Sequence, residues 1–211
     1  MAEIRKMTVA EGLNQLKLYD SRIHKKMSET DFVAAAKKSS DKVNAISKEI
    51  YEQQVRKNYQ SVHDLIQERK KLKSAIIKSN AVTFIEIGGM KMTVAEAIER
   101  KRSIRYEGDL LLRLKTTYRI IKDEVLRENK EMDEQINKIL EMFHGKETEK
   151  KPSKEEQSVI ANLYREQNEY DIVDPINILN EMETLEEEIE NFKSNVDAQL
   201  VISNATTYIE V

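Results

Sequence analysis

Apolar residues recur at spacings of three and four along most of this chain, a period that predicts long amphipathic helices with one buried stripe. Leu13, Leu16, Tyr19 and Ile23 mark a first helix over 9–26. Val43, Ile46, Ile50, Val55, Val62, Leu65, Leu72 and Ile76 mark a second, starting near Ser40 or Asp41 and running to about Ser79. A third extends over 94–144 through Ile98, Ile104, Leu111, Leu114, Tyr118, Ile121, Val125, Met132, Ile136, Ile139 and Phe143, with Gly108 as the expected bend. Ser153 opens a fourth, to about Tyr170. The last runs from an Asp174 N-cap and a Pro175 at the first helical position to about Ile202. Residues 28–39 read as irregular, with Phe32 carried into the core, and 145–152 as a flexible loop.

The period changes to two around Gly88-Gly89. Phe84–Ile87 and the residues after Met90 read as two strands of a hairpin, because glycine reaches the positive φ of a tight turn without steric cost. Both halves of this stretch recur at the ends of the chain. KMTVAE stands at 6–11 and again, unchanged, at 91–96; SNAVTFIEI at 79–87 returns as SNATTYIEV at 203–211, with six of nine residues identical. Thr8 with Glu11 and Thr93 with Glu96 have the spacing of capping boxes, as do Ser153 and Glu156. The chain therefore reads as two copies of one plan, 1–87 and 88–211, in one integrated domain. An unpaired edge strand is a liability, so Thr206–Val211 is expected to pair antiparallel with Ile4–Met7, in cis or from a neighbouring subunit. The expected architecture is mainly α: a long antiparallel helical bundle of coiled-coil character, with a small antiparallel sheet at one end and a pseudo-twofold internal repeat.

Composition narrows the classes of function. With no cysteine there is no disulfide framework and no thiolate-ligated metal. No run approaches the roughly 18 apolar residues of a membrane span, and the N-terminal residues lack a signal-peptide core, so a soluble cytoplasmic protein is expected. The net charge of −3 hides a polarity: 65–105 carries ten basic and four acidic residues, 181–211 eight acidic and one basic. Overall acidity without clustered aromatics argues against duplex nucleic acid as a partner. The three histidines, His24, His63 and His144, form no metal motif; Glu141 and His144 make a single Glu-X-X-His beside the loop. No nucleophile elbow, phosphate-binding loop or dinucleotide fingerprint occurs, so neither catalysis nor a cofactor is expected.

LKSAIIKSNAVT over 72–83, GGMKMTVAEAIERKRSI over 88–104 and the Val173-Asp174 step resemble the septicolysin-type family of small bacterial and phage-associated helical proteins. The resemblance covers the middle third and the last helix. It implies a helical bundle that assembles into a homo-oligomer. It says little of activity, and a pore-forming role is not carried over, because the second strand-closing copy is so clear here.

The candidate site is the hairpin end. Ser79, Asn80, Ser203 and Asn204 sit at the helix-to-strand junctions, where Asn also suits a helix C-cap. Lys78, Lys91, Arg100 and Arg102 supply positive charge, the two arginines from a solvated helix face. The N-termini of the helices starting at Val9 and Val94 would favour an anion. The reading is a non-enzymatic oligomer that sequesters a small anionic, nucleotide-like ligand, in its concrete form a phage-type protein that soaks up host immune nucleotides. A structural coiled-coil scaffold for other proteins is the alternative.

Overall fold

A computed structural model of the chain describes residues 5–145 and 153–211, and side chains other than those of 143–145. The fold is mainly α, with small two-stranded antiparallel ribbons. In chain order the elements are β1 (Lys6–Thr8), α1 (Val9–Ser28), β2 (Lys42–Val43), β3 (Ile46–Ser47), α2 (Lys48–Val82), β4 (Phe84–Ile87), β5 (Met90–Thr93), α3 (Val94–Gly145), α4 (Lys154–Asn168), α5 (Ile178–Thr206) and β6 (Tyr208–Glu210). The expected 145–152 loop lies largely outside the described residues. Two compact units emerge, Met1–Ser103 with Asn191–Val211, and Ile104–Glu190.

In the first unit, β1 pairs with β6 in cis, with Lys6 opposite Glu210, Met7 opposite Ile209 and Thr8 opposite Tyr208. β4 pairs with β5 in the equivalent register, with Lys91 opposite Glu86, Met92 opposite Ile85 and Thr93 opposite Phe84. The two ribbons begin alike: Val9 N–H donates to Thr207 C=O at 2.9 Å, and Val94 N–H to Thr83 C=O at 2.9 Å. Beyond the terminal strands, Arg5 and Val211 exchange backbone hydrogen bonds of 3.1 and 3.0 Å. β1, β6, β4 and β5 form two separate ribbons where one sheet was expected, and the terminal strand starts at Tyr208, since Thr206 completes α5.

Both capping boxes close as read. The Thr8 and Thr93 hydroxyls accept the Glu11 and Glu96 amides at 3.2 and 3.1 Å, and each glutamate accepts the threonine amide in return. Val9, Leu16, Leu72, Ile76 and Ile209 build a core between α1, α2 and β6. Asp20 meets Arg69 and Lys26 meets Ser61, so α1 and α2 run in opposite directions. Gly12 makes room there: a Cβ would lie 3.1 Å from Ile209 Cδ1, which would have to give by a few tenths of an ångström. Under the other ribbon Ile87, Val94, Ala97, Phe192 and Val196 are buried, and Lys101 pairs with Asp197.

The second helix starts later than its apolar pattern suggests. Val43 and Ile46 belong to a short hairpin whose turn residues Asn44 and Ala45 take φ of 46° and 71°. Ser47 then caps α2. The extended chain before it is held by Tyr51 Oη donating to Asp31 C=O at 2.8 Å and by Phe32 edge-on to Tyr59 at 6.4 Å, leaving Phe32 half-buried. The last helix also starts later. Asp174 to Asn177 form a turn ending in Asn177 at φ 55°, and the Asp174 carboxylate accepts the Ile178 amide at 2.8 Å from four residues away. The carboxylate serves the helix start as expected, but from outside it, and Pro175 is not helical.

In the second unit the Ile104–Gly145 part of α3 carries buried Met132 and Ile136. It runs helically through Gly108. Arg165 of α4 meets Asp133 at 3.0 Å, and the Asn129 side chain exchanges hydrogen bonds of 2.9 and 2.8 Å with the Tyr170 backbone. Lys115 pairs with Glu186 of α5.

Candidate functional site

Alternation sorts each ribbon into two faces. On the central ribbon Ile85, Ile87, Met90 and Met92 share one face and Phe84, Glu86, Lys91 and Thr93 the other. On the terminal ribbon the second face carries Tyr208, Glu210, Lys6 and Thr8. On that face the two ribbons repeat one contact. Lys91 Nζ lies 5.2 Å from the Phe84 ring centroid, and Lys6 Nζ 5.4 Å from that of Tyr208. Both rings are about 60% exposed, at 59% and 61%. An exposed ring beside an ammonium can stack a planar heterocycle and neutralise an attached anion. Glu86 and Glu210 face the same lysines across the ribbons, so such an anion competes with a carboxylate.

Lys91 thus joins a ring platform. Lys78, exposed on α2, lines an open groove of about 520 Å³ with Lys71, Ser74, Ala75 and the end of β6. Arg102 stands on the solvated face of α3, as expected. Arg100 does not: it is half-buried, with its guanidinium 4.9 Å from the Phe192 ring and Nη1 donating to Met90 Sδ at 3.2 Å. An arginine packed this way supports the ribbon through its stem as well as its charge.

Ser79 and Asn80 lie in the last turn of α2, and Ser203 and Asn204 in that of α5. The Ser79 and Ser203 carbonyls accept the Thr83 and Thr207 amides at 3.0 and 2.9 Å, which makes threonine the residue at which each helix ends. The asparagines are therefore helical, and positive φ among the described non-glycine residues is confined to Asn44, Ala45 and Asn177. Ser203 is buried at 7% exposure.

At the starts of α1 and α3 the free amides are served from within the chain. Strand carbonyls take the Val9 and Val94 amides, and Glu11 and Glu96 place carboxylates at the positive helix ends. Hydrogen bonds from the backbone amide and then the hydroxyl of Thr8, and likewise of Thr93, hold these two carboxyls below their ordinary value of 4.5. Each helix start already holds its anion; basic side chains open to solvent elsewhere include the ring platforms, the Lys71–Lys78 groove and a cleft lined by Arg22, Lys25 and Lys26. The sequence reading passed over Lys6, Phe84 and Tyr208. Their signal was present, since each lies in a repeated segment, but the pairing across the ribbon emerges only once the register is known.

No protein-family model, curated protein or solved structure matches this chain.

Proposed function

We propose that this chain is a non-enzymatic binding protein that assembles with copies of itself and sequesters a small anionic, nucleotide-like ligand at its ribbons. The observation that carries this reading is the duplicated ring-and-lysine platform, Phe84 with Lys91 and Tyr208 with Lys6. A base stacked on either ring contributes about 1–3 kcal/mol, and the lysine adds a charge contact to a phosphate. In its concrete form the ligand is an immune signalling nucleotide and the protein a phage-type sponge. The test is calorimetry against cyclic dinucleotides and ADP-ribose derivatives, with mass spectrometry of co-purified small molecules. Phe84→Ala with Tyr208→Ala is expected to abolish binding while leaving the helical content unchanged. Failure of the wild type to bind any of the panel, with nothing anionic co-purifying, sinks the reading.

A second reading, a scaffold for other proteins, is favoured by the apolar side chains left in solvent on the second unit, among them Leu112 at 65%, Leu126 at 60% and Val173 at 92% exposure. It predicts a folded protein that binds no nucleotide.

A further inference from the structure

The second unit is poor in core. Among its described residues four hydrophobic side chains are buried, Ile104, Met132, Ile136 and Ile189, while thirteen large ones are exposed. A soluble unit with that ratio has apolar surface to cover. Part of it is ordered: on α3, at 100° per residue, Tyr106, Leu110, Arg113, Ile120, Ile121 and Glu124 fall within about 100° of one another. Tyr106, Leu110 and Ile120 are exposed at 62%, 50% and 53%, and both charged residues are exposed. The spacing 106, 110, 113, 117, 120, 124 alternates four and three, as in the seam of a coiled coil.

The 113–124 part of this seam is complementary to itself in one direction only. Arg113 and Glu124 lie equally far from a midpoint between Thr117 and Ile120. We propose that α3 of a second copy packs antiparallel on this stripe about a twofold axis at that midpoint. Arg113 of each copy then faces Glu124 of the other, and Thr117 faces Ile120, the alternation of an antiparallel pair. A parallel pair brings arginine onto arginine and glutamate onto glutamate. The proposal rests on the self-assembly part of the reading above and is independent of the ligand.

Sedimentation of the full chain over 1 to 100 µM tests it. The wild type is expected to dimerise or form a larger even-numbered assembly. Arg113→Glu turns two attractive contacts per dimer into repulsive ones and should weaken association about tenfold or more. Glu124→Arg should do the same, and the two together should restore association to within about threefold. Ile120→Lys should weaken it irrespective of charge. Circular dichroism should be unchanged throughout, because all three side chains are exposed. A wild-type monomer over the whole range overturns both the seam and the self-assembly reading. An oligomer that ignores Arg113→Glu, or that the double exchange fails to restore, overturns the seam alone. The calorimetry above reports on the ligand in either case.

Discussion

Replacing Ile209 by alanine tests whether the terminal strand belongs to the core. Ile209 is 4% exposed and packs with Val9, Leu16, Leu72 and Ile76. A Cβ on Gly12 would lie 3.1 Å from the Ile209 Cδ1 and 3.3 and 3.4 Å from the Ile76 and Leu72 Cδ1 methyls, so the three side chains fill the space over Gly12 together. Neighbours held by two long helices collapse poorly into a void, so the cost belongs in the upper part of the Ile→Ala range, about 3–4 kcal/mol. At about 2–4 °C per kcal/mol for a chain of this size, the melting temperature should fall by about 6–16 °C. The equivalent residue of the other ribbon, Ile85, is only half-buried. Ile85→Ala should therefore cost less, about 1–2 kcal/mol. Urea unfolding followed by circular dichroism measures both, with unchanged slopes showing that stability alone has moved. A loss below about 1 kcal/mol at Ile209, or a larger loss at Ile85 than at Ile209, refutes the packing argued from the terminal ribbon.

The capping glutamates should make stability depend on acid. Their carboxyls titrate below the ordinary 4.5 in the folded chain, so the stabilisation is complete above that value and is lost as pH falls through the lowered one. Glu11→Gln with Glu96→Gln should flatten the melting temperature below pH 4.5, and an unaltered acid limb argues against the boxes as its source. At the central turn Gly88 has φ 57° and a Cβ there would sit 3.3 Å from the Asn191 Cβ, whereas Gly89 has φ 80° and open space. Gly89→Ala should cost about 1–2 kcal/mol of backbone strain alone, and Gly88→Ala more; equal losses would mean that the turn does not touch α5.

Much of the fold was legible because its signals are local. A capping box is decided within four residues, and Thr8–Glu11, Thr93–Glu96 and Ser153–Glu156 all formed as their spacing required. The antiparallel pairing of the terminal strands was legible for a different reason: the central hairpin displays, in one continuous stretch, the partner that each needs, though not whether that partner comes from the same chain, which the fold decides in cis. The start of α2 was misread because Val43 and Ile46 satisfy a helical period and a two-residue hairpin equally well, and Asn44-Ala45 carries no glycine to decide between them. Asp174-Pro175 has the chemistry of a helix start, yet Asn177 enters the left-handed region and delays the helix to Ile178. At the candidate site the charges were countable but their partners were not. Whether Arg100 packs on Phe192 or points into solvent depends on residues 92 positions apart.

The two ribbons are the same contact made at opposite extremes of chain separation. Ile85 meets Met92 seven residues away, while Met7 waits for Ile209, about two hundred residues later. For a flexible chain the difference in closure entropy is about 3 kcal/mol. The central ribbon can form in microseconds from its own neighbourhood, but the terminal one needs every residue between Met7 and Ile209 in hand. At ribosomal speeds of about 5–20 residues per second, β1 is synthesised some 10–40 s before its partner. Through that interval α1 and α2 must dock without Ile209 between them, with the Met7 edge open to any strand that passes. Tyr208–Glu210 are thus the residues that turn a pair of docked helices into a closed unit, and slow translation between β1 and β6 would lengthen the time this protein spends open to aggregation.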